Sequence, residues 1–487
     1  MKPIKFSYVA FVLLLLCSCS KSDYVEIIPA DATMVASANL KSLSEKSDFA
    51  NSVLMGMMER VVMDGDADKL QEYKDNPMAM GIDFTEPLYV FLMQNNMYGI
   101  VAKVSDKGDF EEFLATLRKQ DLASRPAEKD GVMCGTMGSM NYAYNGDALL
   151  MIEGSGASAN TLVKMMKSEG NSFVDTEAYG RMGDAGDKDI VVYANLGHLP
   201  EDVQKEFQKY ALNGKLNVND VELLSSIDFV EGSALMTTKW WGRTDKAQKA
   251  IDEMRDCLQT IDGEFLDDLP ADLFVWIGVG TTGEKALDRL KGNAQAKEAL
   301  FMLERGVDVE QMIRSIDGDV SIALSGVSDM LFDLKGNFSI RAKLKSSSFL
   351  EDVNDWKRSM VDYGISMKDN GKDSYILRID GEDLYWGVDG DELYFSMPKP
   401  YQQIRSDGGF SALKEYEKDI KSSQYFMYID LKRILGTNKS YSVVAQNFGI
   451  NLQHLKAVIL KSSVHDEMVL QIDMKNDKEN FLKQLLK

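Results

Sequence analysis

The sequence predicts an α+β protein of two similar, duplicated domains, each a largely antiparallel sheet with helices packed on one face. Three observations carry that expectation. Strands arrive as hairpins and meanders, with helices between groups of strands, which separates the pattern from strict βαβ alternation. The tripeptide Pro-Ala-Asp opens a strand twice, at Pro29-Ala30-Asp31 and at Pro270-Ala271-Asp272. The elements then recur in one order at a nearly constant offset: Pro270 follows Pro29 by 241 positions, Met427 follows Val192 by 235, and Val458 follows Ala234 by 224. At 487 residues the chain exceeds one ordinary core, and a 45% hydrophobic content supplies apolar material for two or three.

Residues 1–18 read as a targeting segment rather than as fold. Lys2 and Lys5 form a positive start, and Val9 to Leu16 is an apolar run far shorter than the roughly 20 residues a bilayer span needs. Leu16-Cys17-Ser18-Cys19 closes it. Ser18 is the small residue that a signal peptidase requires, and the stretch resembles the lipobox of bacterial lipoproteins, with Cys19 as the lipidated residue. Cys17 is the poorer candidate, because Leu15 and Leu16 would then flank the cut. Acyl chains on Cys19, palmitate among them, would hold the protein at a membrane. Ser20 does not look like an inner-membrane retention signal, so the outer membrane is expected, on either its periplasmic or its surface face. Residues 19–26 are a polar tether.

The first domain is expected over 27–262. Ile27 to Leu40 is a turn feeding a strand of small and β-branched residues, and Ser42 with Glu45 has capping-box spacing for a helix start. Val53 to Met63 reads as a Met-rich amphipathic helix. Leu88–Leu92 and Tyr98–Val104 form a hairpin across Gln94-Asn95-Asn96, and Asp109–Leu117 a short helix. Val132–Gly135, Asn141–Tyr144 and Ala148–Ile152 form a meander, with Asn145-Gly146-Asp147 as a turn that needs positive φ. A helix at 157–168, a strand Asp189–Leu196, a helix from about Glu201, a hairpin within Ile227–Trp240 and a helix Lys246–Leu258 complete it.

The second domain, 263–487, repeats that order. A strand lies at 270–279, and a hairpin joins Asp319–Leu324 to Asn337–Leu344. A helix runs from Ser347 or Ser348 to Trp356, and a meander covers Tyr375–Ile379, Leu384–Val388 and Glu392–Ser396. Tyr425–Leu431, the pair Lys456–Leu460 with Met468–Met474, and a helix Glu479–Leu485 follow. The boundary is expected near Asp262-Gly263, in the polar run before Pro270.

The chemistry is sparse. A formal net charge of −21 repels nucleic acid and anionic headgroups, so neither is expected as a partner. His198, His454 and His465 lie far apart without metal-ligand spacing, so no metal site and no catalytic residue is assigned. Gly278-Val279-Gly280-Thr281-Thr282-Gly283 fits Gly-x-Gly-x-x-Gly in letters, but a dinucleotide site also needs a parallel βαβ unit, and no cofactor is expected. Asp64-Gly65-Asp66-Ala67-Asp68 has the carboxylate spacing of a calcium loop, yet Lys69 and Asp75 stand where glycine and glutamate are required. Cys134 reads as a buried strand cysteine, and its pairing with Cys257 is a matter for geometry. Adjacent residues on a strand face opposite ways, so one of Trp240 and Trp241 lies at a surface or interface. These two are the ligand-binding candidates, although packing beneath a neighbouring helix explains a tryptophan more simply.

The lipobox at Cys19, the stretch Tyr24–Leu43 and the repeated α+β pattern together resemble an uncharacterised Bacteroidetes-type lipoprotein family known only as a domain of unknown function. The resemblance spans nearly all of the chain after Cys19 and implies neither catalytic residues nor a cofactor. The expected function is that of a membrane-anchored cell-envelope lipoprotein with a non-catalytic binding or scaffolding role toward a protein or glycan. The alternative is a carboxylate-dependent hydrolase of an envelope or dietary polymer. A deep pocket with two carboxylates, one of raised pKa, would favour the enzyme; a broad groove or apolar patch between the halves would favour binding.

Overall fold

Proline at 29 and at 270 starts the same turn, supplying the carbonyl that closes it, with Ala-Asp at the two corners. In the computed structural model the Ala32 N–H donates to the Pro29 carbonyl at 3.1 Å, and the Leu273 N–H to the Pro270 carbonyl at 3.2 Å. Residues 23–47, 72–73, 75–199, 201, 204–205, 208, 216–292, 296–298, 300, 307–326, 336–379, 381–405, 409–437, 452–463 and 467–486 are described. The expected signal segment, the helix Val53–Met63, the loop Asp64–Asp68 and His465 lie outside them. The chain divides into two units, Met1–Tyr193 and Ala194–Lys487. Both combine helices with antiparallel strands, an α+β fold.

In the first unit β1 (Met34–Ala38) leads to the hairpin β2 (Leu88–Leu92) and β3 (Tyr98–Lys103). The meander β4 (Ala127–Lys129), β5 (Val132–Met137), β6 (Met140–Tyr144) and β7 (Ala148–Glu153) follows, then β8 (Ile190–Asn195). Pairing gives the order β8-β1-β2-β3-β7-β6-β5-β4. The helix Leu40–Lys46 is capped by Asn39, whose side chain accepts the Ser42 N–H at 3.0 Å, and not by Ser42. The Ser42 hydroxyl instead donates to the buried Asp189 carboxylate at 2.6 Å, and Lys46 reaches the same carboxylate at 2.8 Å. The helix Lys107–Arg118 starts on Asp106, which accepts the Asp109 N–H, and seats Phe110 against Tyr144 at 5.0 Å between centroids.

The second unit holds β9 (Val221–Val230), β10 (Ser233–Gly242), β11 (Leu258–Gln259), β12 (Leu273–Thr282), β13 (Ile316–Ser325) and β14 (Asn337–Leu344). Its meander is β15 (Ser366–Asp369), β16 (Ser374–Ile379), β17 (Glu382–Asp389) and β18 (Glu392–Met397); β19 (Ser423–Asp430), β20 (Leu455–Ser463) and β21 (Glu467–Met474) come last. The antiparallel order is β9-β10-β21-β20-β19-β12-β13-β14-β18-β17-β16-β15, and β11 pairs with an end of β12. From β19 to β15 this is the order of the first unit. The compact units divide at Tyr193 and Ala194, not in the polar run near Asp262. The hairpin of β9 and β10 goes with the later residues because Ser233–Lys239 pairs with Asp473–Glu467.

Helices cover both faces of the second sheet, which corrects the expectation of one covered face. Trp276 pairs with Ala323 and Tyr428, and Tyr428 with Ile459, so these four share a face. Phe410, Leu413, Tyr416 and Ile420 close over it. Val320 and Ala342 pair three positions away, an odd step that turns them to the other face. There Phe349, Val353, Trp356 and Met360 cover them. The strand Leu273–Thr282 is apolar in both alternations, which a sheet solvated on one side does not permit.

Candidate functional site

The second of those faces is incompletely filled. The helix Val309–Arg314, capped by Asp308 through the Gln311 N–H at 2.8 Å, turns Val309, Met312 and Ile313 toward the sheet. The helix Val353–Val361 brings Met360, and the chain leaving it passes Tyr363, turns through Gly364 at φ +74° and returns with Ile365. Beneath them Ile340 and Ala342 of β14, Leu377 of β16, Trp386 of β17 and Phe395 of β18 form a floor. The space between is about 390 Å³ and no charged side chain lines it. It is more than twice the ~150 Å³ of an apolar cavity that takes up benzene. Trp386 is held by Tyr375 at 4.7 Å, Trp356 at 6.1 Å and Phe395 at 6.2 Å between centroids. Its indole N–H is buried without a hydrogen-bond partner. Tyr363 lines the cavity while 54% exposed, beside Val361 at 66%, so the mouth opens there.

The buried carboxylates lie elsewhere and hold the fold. Asp319 accepts the backbone N–H groups of Asp262, Gly263 and Glu264 at 2.8, 2.7 and 3.1 Å. Asp473 accepts from Ser233 at 2.6 Å, Tyr416 at 2.5 Å and Gln471 at 2.8 Å, tying β10 and β21 to the segment over the opposite face. Asp430 accepts the Arg433 N–H at 2.9 Å at a helix start. Buried Arg341 donates to Asp268 at 2.9 Å, to Tyr401 at 3.2 Å and to Glu392, with its guanidinium 4.3 Å above the Phe265 ring.

Among residues singled out from the sequence, Cys19 lies outside the described residues. Trp240 pairs with Leu223, Trp241 with Glu222, and both are half-buried. Trp240 packs against the cluster of Leu196, Leu216, Val221, Ala247, Ala250 and Ile251, beneath the helix Asp245–Arg255. Trp240→Ala should therefore lower stability by about 2 kcal/mol, less than for a fully buried ring, read as a shifted urea midpoint. His198 and His454 each end a 3-10 turn. Cys134 is a buried thiol in β5, and burial pushes its pKa up, leaving a poor nucleophile.

The Gly-x-Gly-x-x-Gly run has a packing explanation. Gly278 lies on β12 between two antiparallel neighbours, and Gly283 begins the helix Gly283–Gly292. A Cβ on Gly278 would meet the Trp276 ring at 2.4 Å, and Cβ atoms on Gly280 and Gly283 would meet the Gln259 and Ile313 carbonyls at 2.2 and 1.8 Å. Among the described residues no group of three or more His, Cys, Asp or Glu is placed to hold a metal, and no helix is long and apolar enough to cross a membrane. The cavity itself had no motif. Its lining is spread over 307–395, and each member reads as ordinary core.

The family model described as Domain of unknown function (DUF4836) matches residues 24–480. No curated protein matches. Among solved structures, crystal form IV of TP0453 is similar at 10% identity and TM-score 0.30, over 46% of this chain and 81% of that one. Crystal form I gives 11% and 0.31, over 48% and 84%. Crystal form III gives 11% and 0.29, over 48% and 86%.

Proposed function

The chain belongs to the family of the domain of unknown function DUF4836, and we propose that it is a membrane-anchored cell-envelope lipoprotein whose role is non-catalytic binding. The observation that carries the binding role is the cavity of about 390 Å³ in the second unit, lined by apolar side chains without a carboxylate. Pockets of this size and polarity are typical ligand sites. The hydrolase alternative requires two carboxylates facing one cleft, and the buried ones described above each hold structural hydrogen bonds. The anchor is assigned to Cys19, in the outer membrane.

We read the two units as descended from one duplicated domain, supported by the shared strand order. Register then aligns them. Ala102 pairs with Leu149 and Leu149 with Tyr144; Ala342 pairs with Leu393 and Leu393 with Val388. Where the first unit has the Tyr144 ring under Phe110, the second has the smaller Val388. The packing of the two copies therefore differs at this position, although Val388 does not itself line the cavity.

Titration of the full chain with the neutral dye Nile red tests this reading. Saturable enhancement at one dye per chain is expected, with none of it lost on blocking either tryptophan of the 240–241 pair. Absence of a saturable signal, together with turnover of an envelope glycan, would replace binding by hydrolysis. Palmitate labelling that survives Cys19→Ser would remove the anchor assignment.

A further inference from the structure

We propose that the cavity of the second unit holds a single linear acyl chain, with its polar head left in water at the Tyr363 rim. This rests on the binding reading above and names its ligand class. A charged carboxylate, a phosphate or a sugar placed inside would lose its hydration with nothing charged to replace it, because the wall is aliphatic and aromatic. The polar part of any ligand therefore stays outside. Tyr363 and Trp386 alone bring side-chain oxygen or nitrogen to the lining, and the Trp386 N–H is itself buried, so an ionised head would find too few donors inside.

Size and access point the same way. By proportion to the ~150 Å³ that takes six benzene carbons, 390 Å³ accommodates about fifteen carbons, the scale of a common acyl chain. The mouth lies where the helix Val353–Val361 ends. There Val361 and Tyr363 carry apolar surface from the cavity out to solvent. The cations nearby on that helix are already matched, Lys357 with Asp369 and Arg358 with Asp355. With a formal −21 on the chain, the rim suits a neutral or zwitterionic head better than an anionic one.

The test is displacement of cis-parinaric acid from the full chain by saturated fatty acids and their monoglycerides of 8 to 18 carbons. One site per chain is expected, with affinity rising about fourfold per added CH2 and levelling off near about fifteen carbons. Val309→Trp, which puts an indole into the cavity, should weaken binding at least tenfold. Tyr363→Asp, an exposed change that the fold tolerates, should weaken it severalfold, so the test survives if Val309→Trp fails to fold. A second arm offers the same polyene chain esterified in phosphatidylcholine vesicles. Uptake there marks the bilayer as source, and uptake only of free acid or monoglyceride marks a soluble one; either supports an acyl ligand. Binding independent of chain length, or unchanged by both variants, overturns the proposal. Nile red binding without binding of either fatty acids or monoglycerides overturns it while leaving the binding role in place; loss of all three removes the two together.

Discussion

Trp276→Ala should lower the stability of the second unit by about 4 kcal/mol, the largest effect of any single change considered, read as a fall in the urea midpoint followed by circular dichroism. Trp276 is 2% exposed on β12, between β13 and β19. Its ring lies over Gly278, where the absence of a Cβ makes room for it, and 6.0 Å from Phe426 between centroids. Its N–H donates to the Ser321 hydroxyl at 2.9 Å. Alanine leaves a void that flanking strands cannot close and a buried hydroxyl without its donor. Trp276→Phe should cost less, because most of the ring volume stays and only the hydrogen bond is lost. Gly278→Ala should act in the same direction by displacing the ring. The side chain faces away from the cavity, so folded Trp276→Phe should bind ligand as the parent does.

Asp319→Ala should cost about 3 kcal/mol, because three backbone N–H groups lose their acceptor at once. The residue is 4% exposed. Asp319→Asn keeps one oxygen and should cost less. The carboxylate also predicts a pH dependence of unusual sign. Burial pushes its pKa above the ordinary 3.8, against the three N–H donors that favour the charge. A carboxyl that binds its proton more tightly when folded contributes stability that is fully present below the unfolded value and lost as pH rises through the folded one. As pH rises from the ordinary 3.8 through the higher folded value, the parent should therefore lose stability relative to Asp319→Asn. Parallel stability-pH curves for the two proteins would show the site to be already ionised at the ordinary pKa.

Local signals made much of this fold legible. Hydrophobic alternation and the Asp-Gly turns identify the hairpins and meanders, since side-chain period and turn chemistry act over a few residues; at Asn145-Gly146 the turn closes without positive φ, through the Asn145 side chain, which accepts the Asp147 and Ala148 N–H groups at 2.8 Å. The Pro-Ala-Asp turn could be read in the same way, and its closure through the proline carbonyl is the same at both sites. The helix Leu40–Lys46 is capped three positions before the residue that its spacing indicates, because Asn39 and Ser42 are both good caps and Ser42 is drawn off by Asp189, 147 residues later. The coverage of both sheet faces was within reach, since β12 is apolar in both alternations.

Composition, element order and the α+β class were thus determined by the sequence itself, because each is written in neighbours. The tertiary structure alone decided which strands meet and what space they leave. β10 joins β21 across more than 220 residues, so the division near Ala194 follows from a long-range ladder with no local mark. The cavity is a difference between the volume that two helices and a sheet enclose and the volume their side chains fill. No single residue among Val309, Ala342, Trp386 and the others departs from ordinary core chemistry, and a deficit of packing exists only once the elements are assembled.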